Sequence, residues 1–564
     1  MKTLYQILII SVGALALAGA VFAQVPAGTW SGNDISDGNA NTGMGTGALG
    51  GPAATSGGES NTASGFQALG SNTSGSENMA SGSSALNSNT TGSENTASGV
   101  SALQYNTTGG NNTAAGTYAL QGNTTGSNNT AAGYDALNLN AGGSYNVAAG
   151  AYALQSNTAS QNTAVGSYAL NANTSGSSNT ASGYEALYSN TTGFGNTAAG
   201  NNALQYNTTG TANTATGVNA LALNMTGTEN TADGIGALTS STGSYDTAVG
   251  AYALNGNTTG NYNTASGYEA LGFNSDGQEN TAVGVQALLG NKSGDYNTAS
   301  GYGALYSNTT ADYNTASGYE ALYSNDGNSN TGSGYEALYG NTSGTQNTAT
   351  GVHALASNTT GSNNIAEGYH AGYNLTTGSY NIDIGSPGVK AENGVIRIGT
   401  ITGTTSTQSA AYIAGIYGVK TATAGTAVVI DSEGQLGTVS SSIRFKEDVQ
   451  PIADASERLL KLRPVKFRYK KADASGDKPI QYGLIAEEVA KVYPELAVRD
   501  AATGRIDGVR YDELAPMLLN ELQKQQQVNA TLATEVHQLE AAQATQAREL
   551  QAAVLALHGS QRND

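Results

Sequence analysis

The apolar residues of this chain recur on a short, fixed period. An Ala-Leu dipeptide places Leu at 69, 86, 103, 120, 137, 154, 170, 187, 204, 221, 238, 254, 271, 288, 305, 322, 338 and 355, at intervals of 17 residues with a few shortened to 16. The unit reads N-T-A-x-G-Y-x-A-L-x-x-N-T-T-G-x-x, as in Asn263-Thr264-Ala265-Ser266-Gly267-Tyr268-Glu269-Ala270-Leu271. Leu49 opens the series irregularly, and Gly372 closes it in the Leu position after His370-Ala371. A period this short means that each unit buries its apolar residues only against its neighbours. Units of this length with two or more Gly cannot supply the two helices of a helical solenoid. Short extended segments, punctuated by Gly and Asn that accept positive φ, fit instead. The pattern therefore predicts a β-solenoid over residues 41–372, with Thr on Thr, Asn on Asn and Leu on Leu, and with Ala265 and Leu271 facing inward. Roughly 20 coils at a strand spacing of about 4.8 Å make a rod on the order of 95 Å. An open solenoid leaves a hazardous edge, which self-association covers.

After Tyr373 the pattern changes. Gly394-Val395-Ile396-Arg397-Ile398-Gly399 and Ala427-Val428-Val429-Ile430-Asp431 alternate as strands do, so residues 373–439 read as a β-rich neck. From Ser440 short elements of mixed type follow: an amphipathic helix around Ala455 to Leu462, a strand at Val465–Tyr469, and a helix after Gln481–Val489 that stops before Pro494. A long helix then begins near Asp512, a candidate N-cap. Leu518, Leu522, Gln525, Asn529, Leu532, Val536, Leu539, Gln543, Gln546, Leu550, Ala553 and Leu557 make a heptad seam, predicting a coiled coil over 516–557 and a tail at 558–564. The polar seam residues lower stability while fixing register and strand number.

At the other end, Met1–Ala23 carries Lys2, an apolar run and Val21-Phe22-Ala23. That is the form of a secretory signal peptide cleaved before Gln24, leaving a linker at 24–40 and an exported mature chain. No later segment is apolar enough to cross a bilayer.

Composition narrows the chemistry. Of 564 residues, 76 are Gly, 31 Tyr and none Cys, and only 11% are charged, against roughly 25% charged in ordinary globular chains. The absence of Cys removes disulfides, Cys-ligated metal sites and a Cys nucleophile. The net charge of −19 argues against nucleic acid as a partner. It is unevenly placed: residues 24–389 hold 20 acidic side chains against the single basic Lys292. The histidines, His353, His370, His537 and His558, are read as too scattered for a Ser-His-acid site or a metal cluster, so no cofactor or metal is expected. Glu487-Glu488 reads as helical surface or a capping element, not an acid/base pair.

Two stretches resemble known families. The repeats at 41–372 resemble the left-handed parallel β-roll heads of trimeric autotransporter adhesins, in which a T/S-A-x-G core also recurs. That resemblance implies a homotrimer about a common axis. Those adhesins end in a membrane barrel of four strands per chain, whereas the last residues here read as helix. The motifs S-x-x-R-x-K-E (Ser441–Glu447), L-x-P-V-x-F-x-Y (Leu462–Tyr469), Y-G-L-I-A-E-E-V (Tyr482–Val489) and V-x-Y-x-E-L (Val509–Leu514) resemble, in order, the intramolecular chaperone auto-processing domain of phage tailspikes and endosialidases. The resemblance covers about residues 440–540, with an α+β domain at 440–515. It implies a domain that helps the preceding fibre to trimerise and then releases itself through a Ser-Lys dyad. On this motif the nucleophile falls on Ser441 and the base on Lys446, and Ser442 stands where the family usually has Asp. The chemistry is consistent in itself: a Ser hydroxyl needs a base to take its proton, and a Lys serves when burial lowers its pKa toward neutrality.

The fold class expected is thus mainly β: a repetitive parallel β-roll or solenoid, trimeric, with a C-terminal α+β chaperone domain and a coiled-coil helix. The function expected is a secreted or cell-surface fibre, adhesin-like, whose ligand would be a glycan or protein on a host or other surface. The rival is a monomeric β-solenoid binding module, for glycan or ice, without proteolysis. Tyr184, Tyr268, Tyr302 and Tyr319 read as an aromatic ladder, for packing or for ligand contact. The Asn-Thr-Thr tripeptides match the N-glycosylation pattern, but the repeat explains them as stacked turn residues.

Overall fold

The computed structural model describes residues 34–36, 38–50, 58–400, 428–430, 436–471, 476–500 and 503–560. The signal peptide expected at 1–23 lies outside them. The chain divides between Thr400 and Ile401 into two compact units.

The first unit is a parallel β-solenoid of about 21 turns. Each coil contributes one three-residue strand to a single 23-stranded sheet. The strand is the N-T-A-x step of the repeat: Thr264, Ala265 and Ser266 lie in register with Thr281, Ala282 and Val283 of the next coil. Ala265, Ala270 and Leu271 are fully buried, as are their counterparts along the unit. The inward Ala and Leu positions read from the sequence are those observed. At the start, Asp34–Ser36 folds back antiparallel on Thr42–Met44 and closes the first edge. At the other end the ladder runs on beyond residue 372, through Ile382–Ile384 to Ile396–Ile398. The first part of the expected neck is therefore solenoid. Leu375, buried, is placed where earlier coils have Asn358 and Asn341, and it supplies apolar volume where Gly372 has replaced the core Leu.

The coil shape requires backbone that sequence propensity does not favour. Tyr262, Glu269 and Leu271 all have positive φ, at 58°, 55° and 51°, and the same positions repeat this along the unit. Each such non-Gly residue costs roughly 1–2 kcal/mol. Hydrogen bonds between coils hold them there, such as Leu271 N–H to Ala287 O at 2.9 Å and Glu269 N–H to Ala251 O at 3.1 Å. Gly267 is required for a different reason. Its φ is 140°, and a Cβ there would stand 2.4 Å from the carbonyl oxygen of Gly284.

Two columns of Asn run through the interior, fully buried. In one, Asn280 N–H and Nδ2 both donate to Asn263 Oδ1, at 3.0 and 3.3 Å, and Nδ2 also donates to Gly294 O at 2.8 Å. In the other, Asn274 Nδ2 donates to Asn257 Oδ1 at 2.8 Å and to Gly277 O at 2.9 Å. A buried amide is costly unless its donors and acceptors are paired, and stacking identical amides pairs them. The residue lost from the 16-residue coils comes out of the turn between these columns. There Asn162 Nδ2 reaches Asn157 Oδ1 at 3.1 Å, and Asn330 Nδ2 reaches Asn325 Oδ1 at 3.1 Å. Strand register is untouched, as Thr231 still faces Thr247.

The second unit is small and mixed. Val429–Ile430 pairs with Leu436–Gly437, Val465–Phe467 with Gln481–Gly483, and Ala497–Arg499 with Ile506–Val509, all antiparallel. The expected helix at Ala455–Leu462 is a 3-10 helix, Ala453–Lys461. A helix at Ala486–Val492 ends before Pro494 as expected, and the last helix spans Tyr511–Ser560. Asp512 lies inside its first turn, not at its cap, where with Glu513 it favours the positive helix end. Val489, Tyr493, Leu496 and Leu514 make the core, with Leu459, Leu462, Leu484 and Met517 around it. Ser456, buried, ties the 3-10 helix to the long one: its Oγ donates to Glu521 Oε1 at 2.6 Å and accepts from Asn520 Nδ2 at 2.6 Å.

Candidate functional site

Ser441 and Lys446 come together across one 3-10 turn, Ile443–Phe445. Phe445 N–H donates to Ser442 O at 3.1 Å and Lys446 N–H to Ile443 O at 3.1 Å, folding the chain back on itself. Lys446 Nζ then reaches Ser441 Oγ at 3.3 Å. The three consecutive serines have separate contacts. Ser440 Oγ accepts from Ser442 N–H at 3.3 Å, and Ser442 Oγ accepts from Arg444 N–H at 3.4 Å and from Arg444 Nε at 3.3 Å. Of the three, Ser441 is the one that meets the lysine amine. Ser441 and Lys446 are both exposed in the single chain. Large apolar side chains beside them are exposed too, with Ile443 at 68% and Phe445 at 71%.

This geometry lies in a segment that is similar to a known family. Residues 441–498 match the family model described as the chaperone of endosialidase. Neither a curated protein nor a solved structure matches the chain. The chaperone match begins at the Ser-Lys turn and includes the strand pair Val465–Phe467 and Gln481–Gly483 and the helix Ala486–Val492. The last of the four sequence motifs, Val509–Leu514, falls beyond its end. At family level the match implies a self-cleaving peptidase and an intramolecular chaperone.

Within the matched segment, Glu487 is exposed on the helix surface. Glu488 meets the Arg463 guanidinium at 2.6 Å, which holds its carboxyl below the usual range. Arg458 spans the ring of Tyr493 at 4.4 Å, and the Tyr493 hydroxyl donates to Ala455 O at 2.9 Å.

On the solenoid, Tyr302, Tyr319 and Tyr335 stack in succession at 5.2 Å, and Tyr306, Tyr323 and Tyr339 form a second stack at 4.8 and 5.3 Å. Tyr302, Tyr319 and Tyr335 remain a little under half exposed in these stacks. Tyr184 and Tyr268 are about half exposed, and the carboxylates of Glu185 and Glu269 beside them push their phenols up. The Asn of the Asn-Thr-Thr tripeptides is buried. Asn106 Nδ2 already donates to Asn89 Oδ1 at 2.8 Å and Gly109 O at 2.9 Å, so in the folded coil it is closed to glycosylation.

Two of the four histidines are neighbours in space. His353 and His370 stand far apart in sequence, but their separation is one period, and their rings are 5.2 Å apart on adjacent coils. Counting in units of the repeat would have revealed it. Among the described residues no three His, Cys, Asp or Glu side chains are grouped so as to enclose a metal ion, and no helix is long and apolar enough to cross a membrane.

Proposed function

We propose that this chain is an exported fibre subunit that assembles as a homotrimer under the guidance of its C-terminal chaperone segment, which then releases itself by serine autoproteolysis. The observation that carries the reading is the contact of Lys446 Nζ with Ser441 Oγ at 3.3 Å at the start of the family-matched segment. In the reaction, Ser441 Oγ attacks a neighbouring peptide carbonyl while a neutral Lys446 takes its proton. The amine of the broken bond leaves with that proton, and water hydrolyses the ester that remains. Desolvation of this turn would favour the neutral amine that the reaction needs, so cutting waits for the turn to be covered. The exposed Ile443 and Phe445 are surfaces that other copies can cover, which couples cutting to assembly.

Trimerisation is supported by the long helix, whose seam residues Leu532, Val536, Leu539 and Leu550 are at least half exposed in one chain. The leader-like Met1–Ala23 supports export to the cell surface or beyond, and the regular solenoid suits an adhesive shaft. A second reading has one observation in its favour. The Ala-Leu core and the Asn columns are complete within a single chain, as a monomeric binding solenoid would need. Sedimentation of the mature chain at micromolar concentration separates the two: a mass of three chains supports the fibre, and a mass of one supports the binding module.

A further inference from the structure

The position two residues before each core Leu forms an outward column, one side chain per coil. Glu320, Glu336, His353 and His370 follow one another in it. His353 Nδ1 faces Glu336 Oε2 at 3.3 Å. The imidazole centres of His353 and His370 are 5.2 Å apart, with planes crossing at 82°. His370 is held flat between Tyr369 at 4.0 Å and Tyr373 at 4.9 Å, and among the described residues none hydrogen-bonds its ring nitrogens.

These distances suit a shared ligand. A zinc ion bonded to an imidazole nitrogen at about 2.1 Å lies about 3.2 Å from the ring centre. Two ring centres 5.2 Å apart then subtend about 110° at the ion, the tetrahedral angle zinc prefers. A carboxylate at one nitrogen of a ligating His fixes the tautomer and turns the other nitrogen to the metal, which is how Glu336 stands to His353. The surrounding coils carry acidic side chains almost without basic ones, so cations collect at this surface.

We propose that His353 and His370 bind one divalent transition-metal ion of the zinc class, with Glu336 orienting His353 and water completing the tetrahedron. The site is open, with two protein ligands, and independent of the chaperone chemistry.

The test uses the mature chain without a polyhistidine tag, titrated with zinc(II) by calorimetry, with X-ray absorption on the loaded protein. Asn is the substitution to use, because both positions have positive φ and Asn202 and Asn219 occupy the same place in other coils. One ion per chain is expected, with two imidazoles in its shell. His353→Asn or His370→Asn should abolish it, Glu336→Gln should weaken it about tenfold, and His537→Asn with His558→Asn should leave it unchanged. Undiminished binding in the His353→Asn/His370→Asn variant, or no binding at about 1 mM zinc, overturns the proposal.

Discussion

Asp246 Oδ1 accepts the backbone N–H of Asn263 at 2.8 Å, in a buried column that is otherwise Asn at every rung from Asn41 to Asn381. Asn257 Nδ2 also donates to it, to Oδ2 at 2.9 Å. These bonds do not offset the loss of water, and burial pushes the carboxyl from 3.8 up to about 7. A carboxyl raised in the folded state stabilises fully below its unfolded value, and that contribution is lost as pH rises through about 7. Asp246→Asn should therefore match the parent near pH 4 and exceed it at pH 8, by up to about 4 kcal/mol. Denaturant unfolding across that range checks it, and a gap that does not change with pH would count against the assignment.

The glycines of the solenoid should divide by what stands in front of them. Gly267→Ala drives a methyl into the Gly284 carbonyl and should cost on the order of 3 kcal/mol or more. Gly394 also has positive φ, but nothing lies within 4 Å of its added Cβ, so Gly394→Ala should cost about 1–2 kcal/mol. Denaturant midpoints of the two variants should keep that order.

The seam of the long helix should govern association without touching the solenoid core. Leu532→Asp with Leu539→Asp places charges where copies meet, and sedimentation should then report single chains. Gln538→Asp, on the outward side of the same heptad, should leave the assembly intact. Dissociation by both, or by neither, would remove the coiled coil from the account.

What could be read from the sequence follows from how each feature is encoded. The inward Ala and Leu positions were legible because every coil repeats them. The stacking of Asn on Asn was legible for the same reason, but its burial was not, since one Asn reads as a turn residue and becomes a core residue only when stacked on its copies. Positive φ at Leu271 runs against propensity, and the inter-coil bonds that hold it are not local. The solenoid runs past 372 because strand register survives the loss of the Leu, with Leu375 filling the core by another route. The Ser441–Lys446 pairing came from the motif's resemblance to a family, as spacing alone favours a surface Lys beside a Ser-rich linker.

The central claim is that the chain cuts itself at Ser441 once assembled. Intact-mass spectrometry of the purified mature chain, beside Ser441→Ala and Lys446→Ala, tests it most directly. Two fragments whose masses place the break beside Ser441 are expected from the parent, and one uncut trimeric chain from each variant. A single full-length mass in all three, or the same two fragments in all three, would contradict it.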